Sequence, residues 1–215
     1  MLLNNRLILL TFCFSNILYV TKIQINEIRV TYMNIVDAAD KQQIALVHAL
    51  LNSKFGQIYA DIWKVGVNLS LRISDLLSLK YTDFNLKDRT LNLTESKTGK
   101  AKSIRLNQTA IDIITKRRKD HPSDVWLFQV HCNRAKNKPI SRISVSRVFK
   151  DAGDMLNLNI NTHSMRKSRG MAMFNDGVAI EKIAHVLNHS NTTSTLRYLG
   201  ITREEIMKTY DDYEL

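Results

Sequence analysis

The chain of 215 residues carries 31 Lys and Arg against 20 Asp and Glu, a formal charge of +11. That length supports one domain with a real core, and the basic surplus favours a polyanionic partner such as nucleic acid or an anionic membrane surface. Two distant cysteines, Cys13 and Cys132, exclude a disulfide framework and a cysteine zinc site, and two prolines with seven glycines argue against long disordered linkers.

The first twenty residues hold the apolar runs LILLTFCF and ILYV, with Arg6 as their only charge. No small-residue cleavage site follows before Thr21-Lys22, and Ser15-Asn16 interrupts a stretch already short for a bilayer, so neither a signal peptide nor a membrane span is assigned. Residues 1–36 read as an extension of unknown role, and residues 37–215 as the domain proper. From Asp37 the pattern turns helical through Ile44, Val47, Leu50 and Leu51, and Asn52-Ser53 breaks the run. Gly56 to Leu71 reads as a second apolar helix with Ile58, Ile62, Trp63 and Val65 inward. It leads to a short helix that opens at Arg72. Arg72 and Asp75 share a face of that helix, so Arg72 is expected either to pair with Asp75 or to stand as a half-buried guanidinium.

From Tyr81 to Leu106 the character changes. Thr90 to Thr94 alternates, Lys102 to Leu106 answers it, and the turn between them (SKTGK) carries Lys97 and Lys100. A lysine there is a compact, strongly charged group, suited to meeting a phosphate or giving up a proton. Asn107 is placed as the cap of a helix over Gln108–Lys119, whose basic end holds Lys116 and Arg117; part of that charge suits the helix dipole. Trp126-Leu127-Phe128 is a short buried run. The loop CNRAKNKP offers Arg134 and Lys136, and Ser141 caps a helix from Arg142 to about Leu156. That helix is expected to turn Ile143, Val145, Val148 and Phe149 inward and Arg142, Arg147 and Lys150 outward. A basic helix beside a basic loop makes a wall for a phosphate backbone.

The stretch NTHSMRKSRGMAMFNDGVAIEKIAHVLNHSNTTSTLRYLG, residues 161–200, concentrates the chemistry. A helix capped by Thr162 would carry His163 and Arg166 on one face, with Lys167 beside them. A guanidinium can grip a phosphate through two hydrogen bonds and an imidazole can move a proton. His189 adds a second imidazole after a helix over Val178–Leu187. A short helix over Thr193–Tyr198 presents a phenol able to act as a covalent nucleophile. Thr202 and Glu205 have capping-box spacing at the start of a terminal helix.

Together these residues resemble the tyrosine recombinases of the phage-integrase family. The resemblance rests on the arginine setting Leu71-Arg72-Ile73-Ser74-Asp75-Leu76, Lys97 in SKTGK, His163-x-x-Arg166, Leu187-Asn188-His189, and Tyr198 nine residues later. It runs from about residue 38 to the C-terminus. Asn188 stands where glycine is usual, and Asp75 replaces the commoner glutamate.

The resemblance implies a mainly α catalytic domain with a small antiparallel β-hairpin. It also implies site-specific cutting and rejoining of DNA through a 3′-phosphotyrosine, without metal, ATP or any cofactor. Arg72, Arg166 and His189 would stabilise the phosphate, Tyr198 would attack it, Lys97 would protonate the leaving oxygen and His163 would assist proton transfer at the tyrosine. Lys100, Lys116, Arg117, Arg134, Lys136, Arg142, Arg147 and Lys167 are the expected DNA contacts. Many integrases place a separate helical clamping domain before this one; with 71 residues ahead of Arg72 the chain is expected to be a short form without it. The implied partners are double-stranded DNA, a homotetramer on paired sites formed from free monomers, and accessory DNA-bending proteins, in a prokaryotic or phage-encoded cytoplasmic setting with no membrane. Two rival functions differ from this one in residues they require. One alternative is a catalytically weak or inactive DNA-binding regulator of the same fold: such a protein is expected to have lost Tyr198 or an arginine, and neither is lost, but the chain would still be inactive if a clamping domain is essential to the reaction. A metal hydrolase built on His185 and His189 lacks the glutamate of HExxH, because position 186 is Val.

Overall fold

The computed structural model describes residues 38–132, 137–212 and 214. The chain divides into Met1–Val36 and Asp37–Leu215, and all the described residues lie in the second part. The extension, the helix start at Asp37, and Arg134, Lys136 and Tyr213 lie outside the described residues.

Helix α1, Lys41–Leu50, is opened by a reciprocal box in which Asp40 accepts from the Gln43 N–H and Gln43 accepts from the Asp40 N–H. Asn52-Ser53 does not end it. The helix widens into a π-helical turn over Leu51–Phe55, and the chain breaks only at Gly56, whose φ of 103° disfavours a side chain. Helix α2, Gln57–Leu69, is the hub of the core. Its Ala60, Ile62, Trp63, Val65 and Leu69 are all buried, and Trp63 meets Phe149 edge to face at 5.4 Å. Ser70, in the left-handed region at φ 53°, terminates α2. Arg72 then precedes the short helix α3, Ile73–Leu77.

Three antiparallel strands follow in the order β1 (Phe84–Asn85), β2 (Thr90–Thr94) and β3 (Ala101–Arg105). The expected hairpin is β2 and β3, with Leu91 opposite Ile104; the short β1 beside Leu91 and Thr90 adds a third strand. Leu91 is fully buried, which sets the register by putting the apolar face of the strand on the core. Helix α4, Gln108–Asp120, is capped by Asn107 Oδ1 accepting from Ala110 N–H. Helix α5, Arg142–Met155, is capped by Ser141 Oγ accepting from Ser144 N–H. Leu127 and Phe128 are fully buried as expected. Ile143 is not: it is 82% exposed, because the first turn of α5 runs past the core and Val145 is the first residue to enter it.

The C-terminal part consists of α6 (Ser164–Asn175), α7 (Ile180–Val186), α8 (Thr192–Leu199) and α9 (Arg203–Asp212). Ile183, Leu187 and Leu199 form a second, smaller core with Met171, Phe174 and Ile201 packed around it. Helix α6 bridges the two cores. Its Met165 lies so close to Gly66 of α2 that a β-carbon at 66 would meet the Met165 sulfur at 2.1 Å. Thr202 and Glu205 form their capping box. No helix among the described residues is long and apolar enough to cross a membrane.

Candidate active site

Arg72, Arg166, His189 and Tyr198 come from four separate segments and meet at one place. Arg166 is 3% exposed and its guanidinium is held from two sides: Nη1 donates to the Ser70 carbonyl and Nη2 to the Leu187 carbonyl, each at 2.5 Å. The left-handed end of α2 and the end of α7 are therefore both tied to one side chain of α6. Arg72 is half-buried, as the second sequence expectation has it, and its ion pair is not with Asp75. Nη1 reaches the wholly buried Glu95, at the end of β2, at 2.5 Å. Asp75 instead accepts from Ser96 N–H at 3.0 Å and Ser96 Oγ at 2.5 Å, anchoring the start of the turn that carries Lys97. Lys97 and Lys100 are exposed on that turn.

His163 is the N-cap residue of α6, not its first turn, and Thr162 is buried instead of capping. The cap hydrogen bonds come from Asn161, whose Oδ1 accepts from His163 N–H at 2.7 Å. His163 is held below the ordinary histidine range by desolvation among its neighbours and then by the charges of Arg142, Arg166, Arg72 and Lys97. It is thus a neutral imidazole able to accept a proton near pH 7.

His189 follows a Schellman turn. Asn188 takes the left-handed conformation at φ 49°, its N–H donates to the His185 carbonyl, and His189 N–H donates to the Ala184 carbonyl. Asparagine tolerates this conformation better than most residues, which lets it stand where glycine is usual. His189 Nδ1 lies 3.0 Å from Thr195 Oγ1, whose hydroxyl also reaches the Asn191 carbonyl at 3.3 Å; in the tautomer with the hydrogen on Nε2, where the hydroxyl turns to Nδ1 instead, the ring can donate to a phosphate oxygen. Burial, then the Arg166 and Arg72 charges, lower the pKa of His189 to about 4.

Tyr198 stands edge-on to His189 with ring centroids 5.1 Å apart, and its hydroxyl donates to the His163 carbonyl at 3.2 Å. Burial raises its pKa, opposed by the charge and hydrogen bond of Arg166 and by Arg72, so the resting group is a neutral phenol. A phenol, two guanidiniums and two imidazoles, one of them on the residue whose backbone carbonyl takes the Tyr198 hydroxyl, converge here, and these are groups that a phosphodiester displacement can use.

The residues expected to bind DNA divide. Arg142 and Arg147 are exposed and, with Ile143, Lys150, Asn159 and Asn161, line a groove on α5. Lys116 is exposed and paired with Asp120 at 2.5 Å. Arg117 is corrected: it is 7% exposed, with Nη1 2.9 Å from Asp61 and Nε donating to the Leu127 carbonyl, so it braces α4 against α2 instead of facing a ligand. Lys167 is also buried, its Nζ lying beside Gly200. Sequence reasoning missed Glu95, Thr195 and Lys102. The last donates from β3 to the Val186 carbonyl at 2.7 Å and joins the hairpin to the His189 turn.

Among the described residues one other cluster has metal-ligand chemistry: His121, Asp124 and His131. Its two imidazoles stack with centroids 4.4 Å apart and planes 24° from parallel. Lone pairs lie in the ring planes, so nearly parallel rings direct them side by side and not toward one ion. The His131–Asp124 contact at 3.1 Å is read as a hydrogen bond.

Comparison with known proteins identifies the family and the fold. The phage integrase family profile matches residues 31–205. The chain is 36% identical over 146 residues to the probable integrase/recombinase YoeC of Bacillus subtilis (strain 168), covering 67% of this chain and 78% of that protein. It is 30% identical over 148 residues to the tyrosine recombinase XerA of Pyrococcus horikoshii, covering 67% of this chain and 51% of that one. The chain thus spans most of YoeC and about half of XerA. Among solved structures, XerA recombinase superposes with a TM-score of 0.65 at 16% identity, covering 85% of this chain and 66% of that one. The Tn1549 transposon integrase, in complex with a circular intermediate DNA, gives 0.65 at 17% identity, covering 82% and 66%. The chain belongs to the phage integrase family and has the fold of the tyrosine recombinases.

Proposed function

We propose that this chain is a site-specific DNA recombinase that cuts and rejoins DNA without metal or ATP. The observation that carries the reading is the junction of Tyr198 with Arg166, Arg72, His189 and His163. The scissile phosphate sits against Arg72 and Arg166, with His189 Nε2–H on a nonbridging oxygen. Tyr198 Oη attacks phosphorus as its proton passes to His163. The Oη–P bond forms, the bond from phosphorus to the 5′-oxygen breaks, and Lys97 protonates that leaving oxygen. The phosphotyrosine conserves the bond, so attack by a 5′-hydroxyl reverses every step and joins a new strand. Fixed donors aimed where charge develops supply the stabilisation, worth several orders of magnitude in rate.

The groove along α5 takes the DNA backbone through Arg142, Arg147 and Lys150. Four such chains on two DNA sites exchange the strands, assembled from free monomers and assisted by DNA-bending proteins, in the cytoplasm of a prokaryotic host. The test uses a nicked suicide duplex built from the DNA flanking the gene. The wild-type chain should form a covalent adduct in the presence of EDTA, and Tyr198→Phe should bind equally and form none. Adduct formation that requires a divalent metal would overturn the proposed chemistry.

A further inference from the structure

Glu95 is wholly buried, yet it lies among cations and is not part of the reaction just described. Its Oε2 accepts from Arg72 Nη1 at 2.5 Å, from Thr98 Oγ1 at 3.0 Å, and from Asn188 Nδ2. These donors belong to the α2–α3 junction, the Lys97 turn and the α7–α8 turn. Its backbone closes the same turn, with Glu95 N–H donating to the Lys100 carbonyl at 3.0 Å and Gly99 N–H donating to the Glu95 carbonyl at 2.8 Å. One carboxylate therefore joins the segments that carry Arg72, Lys97 and His189.

Burial by itself would neutralise such a group; the hydrogen bonds from Asn188, Arg72 and Thr98, with the Arg72 charge, outweigh it and hold the carboxyl below its ordinary range, hence ionised. A buried charge is expensive unless donors satisfy it; here three converge on Oε2, while Oε1 is buried without a hydrogen-bond partner. The Asn188 amide is the donor that a glycine at this position would lack.

Resting on the recombinase reading, we infer that Glu95 is a positioning residue that sets Arg72, the Lys97 turn and the His189 turn in one register, with Asn188 as its partner. Glu95→Gln keeps the size and can keep an oxygen toward the three donors, but it removes the charge that strengthens those hydrogen bonds and places an N–H₂ at the buried position where Oε1 has no partner. Adduct formation on the suicide duplex should fall about 10- to 100-fold, the loss expected for a charge-assisted hydrogen bond, while the affinity for DNA changes less than about twofold. Asn188→Gly should lower the rate by a smaller factor. In the Glu95→Gln background it should add nothing, since it acts through Glu95. The swap Glu95→Gln with Asn188→Asp reverses the hydrogen bond at constant charge and should recover part of the loss.

An unchanged rate in Glu95→Gln, or independent multiplicative losses for the two positions, would overturn the inference, as would losses that only track the folded fraction. A wild-type chain that forms no adduct would instead fail the recombinase reading. In that event the guanidinium NMR signals of Arg72 still decide the contact: restrained rotation in the wild type and its release in Glu95→Gln support it, and free rotation in both overturns it.

Discussion

Gly170 of α6 meets Leu199 of α8 across a gap that admits no side chain: a β-carbon at 170 would lie 2.9 Å from Leu199 Cδ2 and 3.1 Å from Leu187 Cδ1. Leu187 stands two residues before His189, and Leu199 directly follows Tyr198. The small second core therefore sets where Tyr198 and the His189 imidazole lie. Gly170→Val should overfill it, lowering stability by about 1–3 kcal/mol, as overpacking does. Adduct formation should fall by more than DNA affinity. A folded variant with an unchanged adduct rate would show that this contact does not hold α8.

The pH dependence follows from the direction in which His163 moves. Its pKa is depressed by desolvation and by Arg142, Arg166, Arg72 and Lys97, so the proton-accepting form persists to lower pH than in an ordinary imidazole. Single-turnover cleavage should rise with pH up to an inflection below about 6.5 and be level above it. His189, at about 4, is neutral throughout and adds no inflection between about pH 5 and 8. An inflection above the ordinary imidazole range would assign the proton to another group.

The basic residues should separate into binding and bracing sets. Arg142→Ala and Arg147→Ala should each weaken DNA binding and reduce the slope of log affinity against log salt by about 0.9, one phosphate contact apiece. Arg117→Ala should leave that slope unchanged. It strands Asp61 in the interior and should destabilise the fold by about 3–5 kcal/mol. Salt titrations and chemical denaturation of the three variants distinguish the two roles.

Helix α9 exposes Met207 at 53% and Tyr210 at 75%, an apolar surface C-terminal to Tyr198. We expect it to dock on a neighbouring subunit when two half-sites are filled. Met207→Ser with Tyr210→Ser should lower the cooperativity of paired half-site binding by at least about fivefold and spare binding to one half-site. Equal cooperativity in gel-shift titrations would show that α9 has no such role.

The helices with strong caps were legible in the sequence: Asn107, Ser141 and Thr202 cap where their spacing predicts. The convergence of Arg72, Arg166, His189 and Tyr198 was legible as a spaced pattern, since Arg72, His189 and Tyr198 lie beside helix ends and Arg166 lies in the first turn of α6. Three features were not. Asn52-Ser53 reads as a break, but a π-helical turn absorbs it and the chain turns only at glycine. Ile143 reads as core from its periodicity, yet helical spacing cannot show that the first turn of α5 overruns the domain. Glu95 and Arg117 look like surface charges in a polar hairpin and a basic helix end. Their burial depends on partners 23 and 56 positions away in the sequence, which no local pattern carries.

In the proposed reaction Tyr198 is the covalent nucleophile. Its most direct test is to trap the wild-type chain on a nicked duplex, digest the adduct with protease and nuclease, and sequence the nucleotide-bearing peptide by mass spectrometry. With trypsin as the protease, a single phosphotyrosyl linkage is expected at Tyr198, in the peptide from Tyr198 to Arg203. A linkage at Tyr210, Tyr213 or any serine would contradict it.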